Sequence, residues 1–154
     1  MKLPVYMDYH ATTPVDPRVL AAMTPFFTER FGNPSSRSHS FGWEASDAVE
    51  ESRKHVARLI GADPKEIFFT SGATESDNQA IKGVAWMHRE RGGQILTTPI
   101  EHKAILDSCK SVEHEGFEIT FLPVDRYGVV DPGDVAKAIT PRTILVSVML
   151  ASNE

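Results

Sequence analysis

Apolar positions recur along the chain first at helical spacing and then in a mixture of helical and strand-like runs. Asp16-Pro17 reads as an N-cap with proline in the first helical turn. Behind it Val19, Leu20, Met23, Phe26 and Phe27 fall on one helical face. Turn chemistry at Phe31-Gly32-Asn33-Pro34-Ser35-Ser36 stops that helix. A longer one follows, with Phe41, Ala45, Ala48, Val49, Val56, Leu59 and Ile60 at helical spacing and Gly61 at its end. After Asp63-Pro64 the period changes. The β-favouring run Ile67-Phe68-Phe69-Thr70 predicts a buried strand, and Ser71 to Ser76 turn the chain into a helix that lasts until Gly92-Gly93. Strands are then expected over 94–97, 118–122 and 143–149, separated by helices over 104–115 and from the Asp131-Pro132 cap to Ile139. Helices and strands alternating at this length indicate α/β units around a mainly parallel sheet.

The last strand changes the picture. Ile144 to Leu150 shows almost no polar alternation and wants cover on both faces. An open parallel edge there would expose apolar surface. It is either an edge strand capped by oligomerisation or part of a larger fold of which this chain is the front portion, and the second is the expectation.

Composition narrows the function class. With 16 Lys plus Arg against 21 Asp plus Glu the net charge is −5, which argues against nucleic acid and anionic membrane surfaces as partners. The 41% apolar and 24% charged residues are those of an ordinary globular chain. No apolar run approaches the ~20 residues of a membrane helix, and the first residues lack a signal-peptide core, so a cytoplasmic location is expected. The single cysteine, Cys109, lies among Ile105, Leu106 and Val112 on a predicted helix and reads as a small buried hydrophobe, not a nucleophile. His10, His39, His55, His88 and His114 show no metal-ligand spacing, and no metal site is expected.

Three places could carry chemistry. Thr70-Ser71-Gly72-Ala73-Thr74-Glu75-Ser76 joins a predicted strand to a helix start, where free N–H groups and the hydroxyls of Ser71, Thr74 and Ser76 could hold an anion. Plain helix capping explains the same residues equally well. The segment lacks a Walker lysine and the spacing of a dinucleotide-binding fingerprint. His102, in Pro99-Ile100-Glu101-His102-Lys103, follows a strand whose carboxyl end borders a ligand crevice; its imidazole could stack on a ring or move a proton, or simply satisfy a structural hydrogen bond. Asn153 also follows a strand, and its amide could meet a ligand oxygen or serve only a turn.

Taken in order, five stretches resemble the N-terminal part of cysteine desulfurases of the NifS/IscS type, within the class V aminotransferase-like enzymes: residues 6–14, 31–39, 69–78, Glu101-His102-Lys103 and Ser152-Asn153-Glu154. The resemblance implies an aspartate-aminotransferase-like (type I) fold, with pyridoxal 5'-phosphate as cofactor. Residues 16–154 would be the front part of its large cofactor-binding domain, incomplete at the C-terminal end, and residues 1–15 a segment packing with the small domain or a dimer partner. Ala73 and Thr74 would hold the cofactor phosphate. His102 would stack on the pyridine ring and assist proton transfer, and Asn153 would approach the ring's phenolic oxygen. The 33–39 loop and Ala11-Thr12-Thr13 would lie near the substrate entrance or a dimer contact.

The implied reaction converts L-cysteine to L-alanine and leaves the sulfur as an enzyme persulfide, for iron–sulfur cluster and thio-cofactor synthesis. The implied partners are an iron–sulfur scaffold or other sulfur-acceptor proteins and a second copy in a homodimer. In the family, the Schiff-base lysine and the persulfide cysteine lie beyond the matched stretches, and none of the seven lysines here occupies the Schiff-base motif. The chain by itself is therefore expected to be inactive, the missing groups being supplied by a companion polypeptide or by the remainder of a longer protein. A non-catalytic cofactor- or partner-binding subunit, or a selenocysteine lyase-like enzyme, would fit the same residues.

Overall fold

The computed structural model describes residues 4–152 and forms two compact units, 1–69 and 70–154.

In the first unit, α1 (Pro17–Thr28) begins where the Asp16 carboxylate accepts the Arg18 N–H at 2.8 Å and grips its guanidinium at 2.7 Å. The apolar face read from the sequence forms, but α1 buries none of it: Phe27 is 73% exposed. Spacing fixes that these side chains share a face; it does not supply a layer to cover them. The longer α2 (Ser40–Ile60) starts at His39, whose Nδ1 accepts the Gly42 N–H at 3.2 Å. Gly42 is required there by close approach, since a Cβ would come within 2.0 Å of the Ser36 carbonyl oxygen. Ala45 and Ala57 are buried, while Phe41, Val56, Leu59 and Ile60 stay exposed. A 3₁₀ turn at Pro64–Glu66 carries a reciprocal capping box between Asp63 and Glu66.

The strand expected at 67–70 does not form. The backbone is extended at Ile67, but no strand pairs with the segment among the described residues, and a strand exists only through its ladder. The Arg53 guanidinium takes the Ile67 carbonyl instead and lies 5.0 Å from the Phe69 ring centre. Phe68 and Phe69 are exposed.

The second unit runs α3 (Ala73–Met87), β1 (Gln94–Thr97), α4 (Lys103–Glu113), β2 (Glu118–Phe121), α5 (Pro132–Ala138) and β3 (Thr143–Val146). The three strands are parallel in the order β2-β1-β3. Only β1 has neighbours on both sides, and it alone is buried at every position. Ile95 pairs with Ile119 on one side and Leu145 on the other. Ile144 is the extra residue of an irregularity opposite Gln94-Ile95; its side chain lies where a Cβ on Gly93 would come within 2.8 Å. The core joins α3 and α4 to the sheet through Ile81, Ala85, Ile95, Ile105, Cys109, Val112 and Phe117.

Two elements are shorter than their patterns suggested. The third helix stops at Met87, followed by turns over 88–91, and the last strand stops at Val146. The apolar run past β3 is not covered: Val148 and Leu150 are exposed, so its pattern marks surface that has no neighbouring layer among the described residues.

Candidate active site

The start of α3 differs from every other helix start. Side chains of Asp16, His39, His102 and Asp131 cap α1, α2, α4 and α5, whereas Gly72 at the head of α3 offers none. Ser76 N–H bonds back to the Gly72 carbonyl at 3.2 Å, leaving the first-turn amides ahead of it uncapped. Ala73 and Thr74 occupy the first two helical positions, both exposed.

Of the three hydroxyls expected to face an anion, two are engaged elsewhere. Ser71 donates both its N–H and its hydroxyl to Glu75 Oε2, at 2.7 and 2.6 Å. Ser76 Oγ pairs with Thr70 Oγ1 at 2.7 Å. The Thr74 hydroxyl remains, while its carbonyl accepts the Asn78 amide at 2.8 Å. The paired donation from Ser71 holds the Glu75 carboxyl below its usual range, its hydroxyl contributing most. The turn therefore keeps its acid folded back on Ser71 while the uncapped amides point outward. Uncapped N–H groups, a free hydroxyl and a side-chain-less Gly72 with open space around it fit a phosphate group.

The second candidate stands at the start of α4. His102 is its N-cap: Nδ1 accepts the Ala104 N–H at 3.1 Å. An accepting Nδ1 carries no proton, so the neutral ring holds its proton on Nε2. The structural role weighed from the sequence is thus real, yet it occupies only one ring nitrogen. The ring itself is exposed, so capping and a ligand-facing role are compatible.

Beside it, Glu101 is 7% exposed, and its Oε1 accepts the Met149 N–H at 2.7 Å and the Thr98 hydroxyl at 3.3 Å. Sequence reasoning gave this residue no role of its own; its place between a strand end and a helix cap was the only available signal. Cys109 is fully buried, and burial first, then the charges of Glu101 and Glu113, push its thiol up to about 11. That agrees with its rejection as a nucleophile.

The helices bearing the two sites pack side by side through Ile81, Ala85, Ile105 and Cys109. Chain direction places α4 directly after the carboxyl end of β1. Among the described residues no hydrogen bond joins the two helix starts. A separate crevice of about 830 Å³ opens past the strand ends, between the 124–130 loop and residues 148–152. Thr98 and Ile100 line it, but Ala73, Thr74 and His102 do not. Asn153 lies outside the described residues. Among the described residues no cluster of His, Cys, Asp and Glu could hold a metal ion.

The second unit thus combines a parallel sheet and flanking helices with an uncapped start on α3 and a histidine cap on α4. The aminotransferase class-V family model matches residues 5–154, and the chain belongs to that family, which is pyridoxal-phosphate dependent. It is 58% identical over 154 residues to a cysteine desulfurase IscS of Rickettsia massiliae (strain Mtu5), covering all of this chain and 38% of that protein. Among solved structures it is similar to a NifS-like protein, with a TM-score of 0.91 and 47% identity over 97% of this chain and 41% of that one. It is also similar to SspA in complex with cysteine, with a TM-score of 0.89 and 40% identity over 97% of this chain and 43% of that one. The fold is the type I pyridoxal-phosphate fold of these NifS-like relatives, and the chain spans well under half their length.

Proposed function

We propose that this chain supplies the phosphate- and ring-binding part of a cysteine desulfurase, an enzyme that takes sulfur from L-cysteine and leaves L-alanine. The observation that carries the reading is the uncapped first turn of α3, the one α-helix among the described residues with no side-chain cap at its head. Similarity to an IscS desulfurase and to a structure described as complexed with cysteine supports this substrate.

Pyridoxal phosphate, when bound, supplies the electron sink that weakens bonds at the amino acid's α- and β-carbons. The chain's own residues bind and orient it. The amides of Ala73 and Thr74 and the Thr74 hydroxyl donate to the phosphate oxygens, assisted by the positive end of the α3 dipole. His102 would hold the pyridine ring, with its own Nδ1 fixed by Ala104 and Nε2–H the position from which a proton would be held or passed. Asn153, outside the described residues, would meet the phenolic oxygen.

The enzyme works as a cytoplasmic homodimer, and its sulfur passes to an iron–sulfur scaffold or another acceptor protein. Consistent with that, no helix among the described residues is long and apolar enough to cross a membrane, and the apolar face of α1 is open for contact.

The test is alanine and sulfide release from L-cysteine by the holoenzyme, with L-selenocysteine in parallel. Equimolar alanine and sulfide is the expected result. Turnover of selenocysteine alone would replace this reading with a selenocysteine lyase. Cofactor binding with neither product would leave a non-catalytic binding subunit.

A further inference from the structure

Glu101 is the only buried carboxylate among the described residues, and no Lys, Arg or His pairs with it there. Burying an acid without a cation is unfavourable unless hydrogen bonds replace its water. Packing alone would be served better by an apolar side chain. The bonds it makes are long-range. The β1–β3 ladder ends where Ser147 N–H donates to the Leu96 carbonyl at 2.8 Å. Two residues later Met149 N–H lies past the ladder, and Glu101 Oε1 accepts it at 2.7 Å. The same oxygen takes the hydroxyl of Thr98, just beyond β1, at 3.3 Å. Glu101 also immediately precedes His102, whose Nδ1 is held on its other side by Ala104.

We infer that Glu101 is the positioning residue of this site: its buried carboxylate pins the segment beyond β3 to the end of β1 and thereby fixes the backbone from which the His102 ring projects. His102 is bracketed by the Glu101 bonds before it and the Ala104 bond after it. The segment held by Met149 leads in sequence toward Asn153, which lies outside the described residues. What matters is the reach of the oxygen rather than its charge. This inference rests on the ring-binding role proposed for His102.

Glu101→Gln keeps an oxygen at the same reach without the charge, whereas Glu101→Asp keeps the charge and withdraws it by one methylene. In the holoenzyme, amide exchange at Met149 and Ala104, and the ¹⁵N signals of the His102 ring, report the geometry without reference to turnover. Wild type should protect Met149 like a ladder amide. The Asp variant should exchange both amides about tenfold faster and shift the ring signals, while the Gln variant stays within about twofold of wild type. Kinetically, kcat should fall in the Asp variant with KM for cysteine held, and the Gln variant should recover it.

An unprotected Met149 in the wild type would overturn the inference with no variant needed. So would an Asp variant with unchanged Ala104 exchange and ring signals, or a Gln variant disturbed as much as the Asp one. A wild type that releases no sulfide but shows the expected exchange pattern would remove the desulfurase reading and leave the positioning role standing.

Discussion

At the scale of single residues, capping decides what is free to bind. Thr74 holds the uncommitted hydroxyl of a helix start whose neighbours Ser71 and Ser76 are already engaged. Thr74→Ala should weaken pyridoxal-phosphate binding about tenfold or more, since a hydrogen bond to a charged group is worth roughly 1.5–3 kcal/mol. Ser46→Ala, within α2, should leave the dissociation constant unchanged in the same fluorescence titration. His102→Gln should fold and load cofactor, but slow single-turnover alanine formation by ~10²–10⁴; a rate near wild type would confine His102 to capping. Glu75 is a sensor of the turn. Its folded pKa is lowered by Ser71, so the bond stabilises the fold above the carboxyl's ordinary range and is lost as pH falls through the depressed value. Ser71→Ala should move the Glu75 titration upward in an NMR pH series.

Elements are decided by their layers. Ile95 on β1 and Ile81 on α3 are both 1% exposed or less and meet in one cluster, so Ile81→Ala or Ile95→Ala should destabilise the second unit by about 2–5 kcal/mol in urea denaturation. Leu59, on an equally well-formed helix face, is 85% exposed, and Leu59→Ala should change stability by under about 0.5 kcal/mol. Cys109 gives the same core a pH signature. Its thiol is raised from 9.0 to about 11, so the folded state keeps a proton that the unfolded chain loses, and stability falls as pH rises between those values. A decline from pH 8 to 11 that is steeper in wild type than in Cys109→Ala is the expected contrast.

At the scale of the whole molecule, the prediction concerns covalent attachment. None of the seven lysines occupies the Schiff-base motif of the resembled family, so borohydride treatment of the 154-residue chain with pyridoxal phosphate should leave no one lysine stoichiometrically labelled in a peptide map. Lys103 is the lysine closest to the site in sequence, next to His102, and a single label there would overturn the expectation.

The sequence by itself determined the alternation of helices and strands, the Asp16, Asp131 and Gly61 boundaries, and the family, because caps, periodicity and ordered motifs are local or collinear with the chain. It did not determine which faces would be covered. The stripes of α1 and α2 and the run at 67–70 have the pattern of buried surface, yet burial needs a partner layer that no local rule supplies. Tertiary structure alone decided that Gly72 heads an uncapped turn while Ser71 and Ser76 bond inward, since competing acceptors had to be placed before the free donors could be known. It alone joined Glu101 to Met149, 48 residues apart, because only the parallel crossover from β1 to β3 brings a helix cap and a strand end within hydrogen-bonding distance.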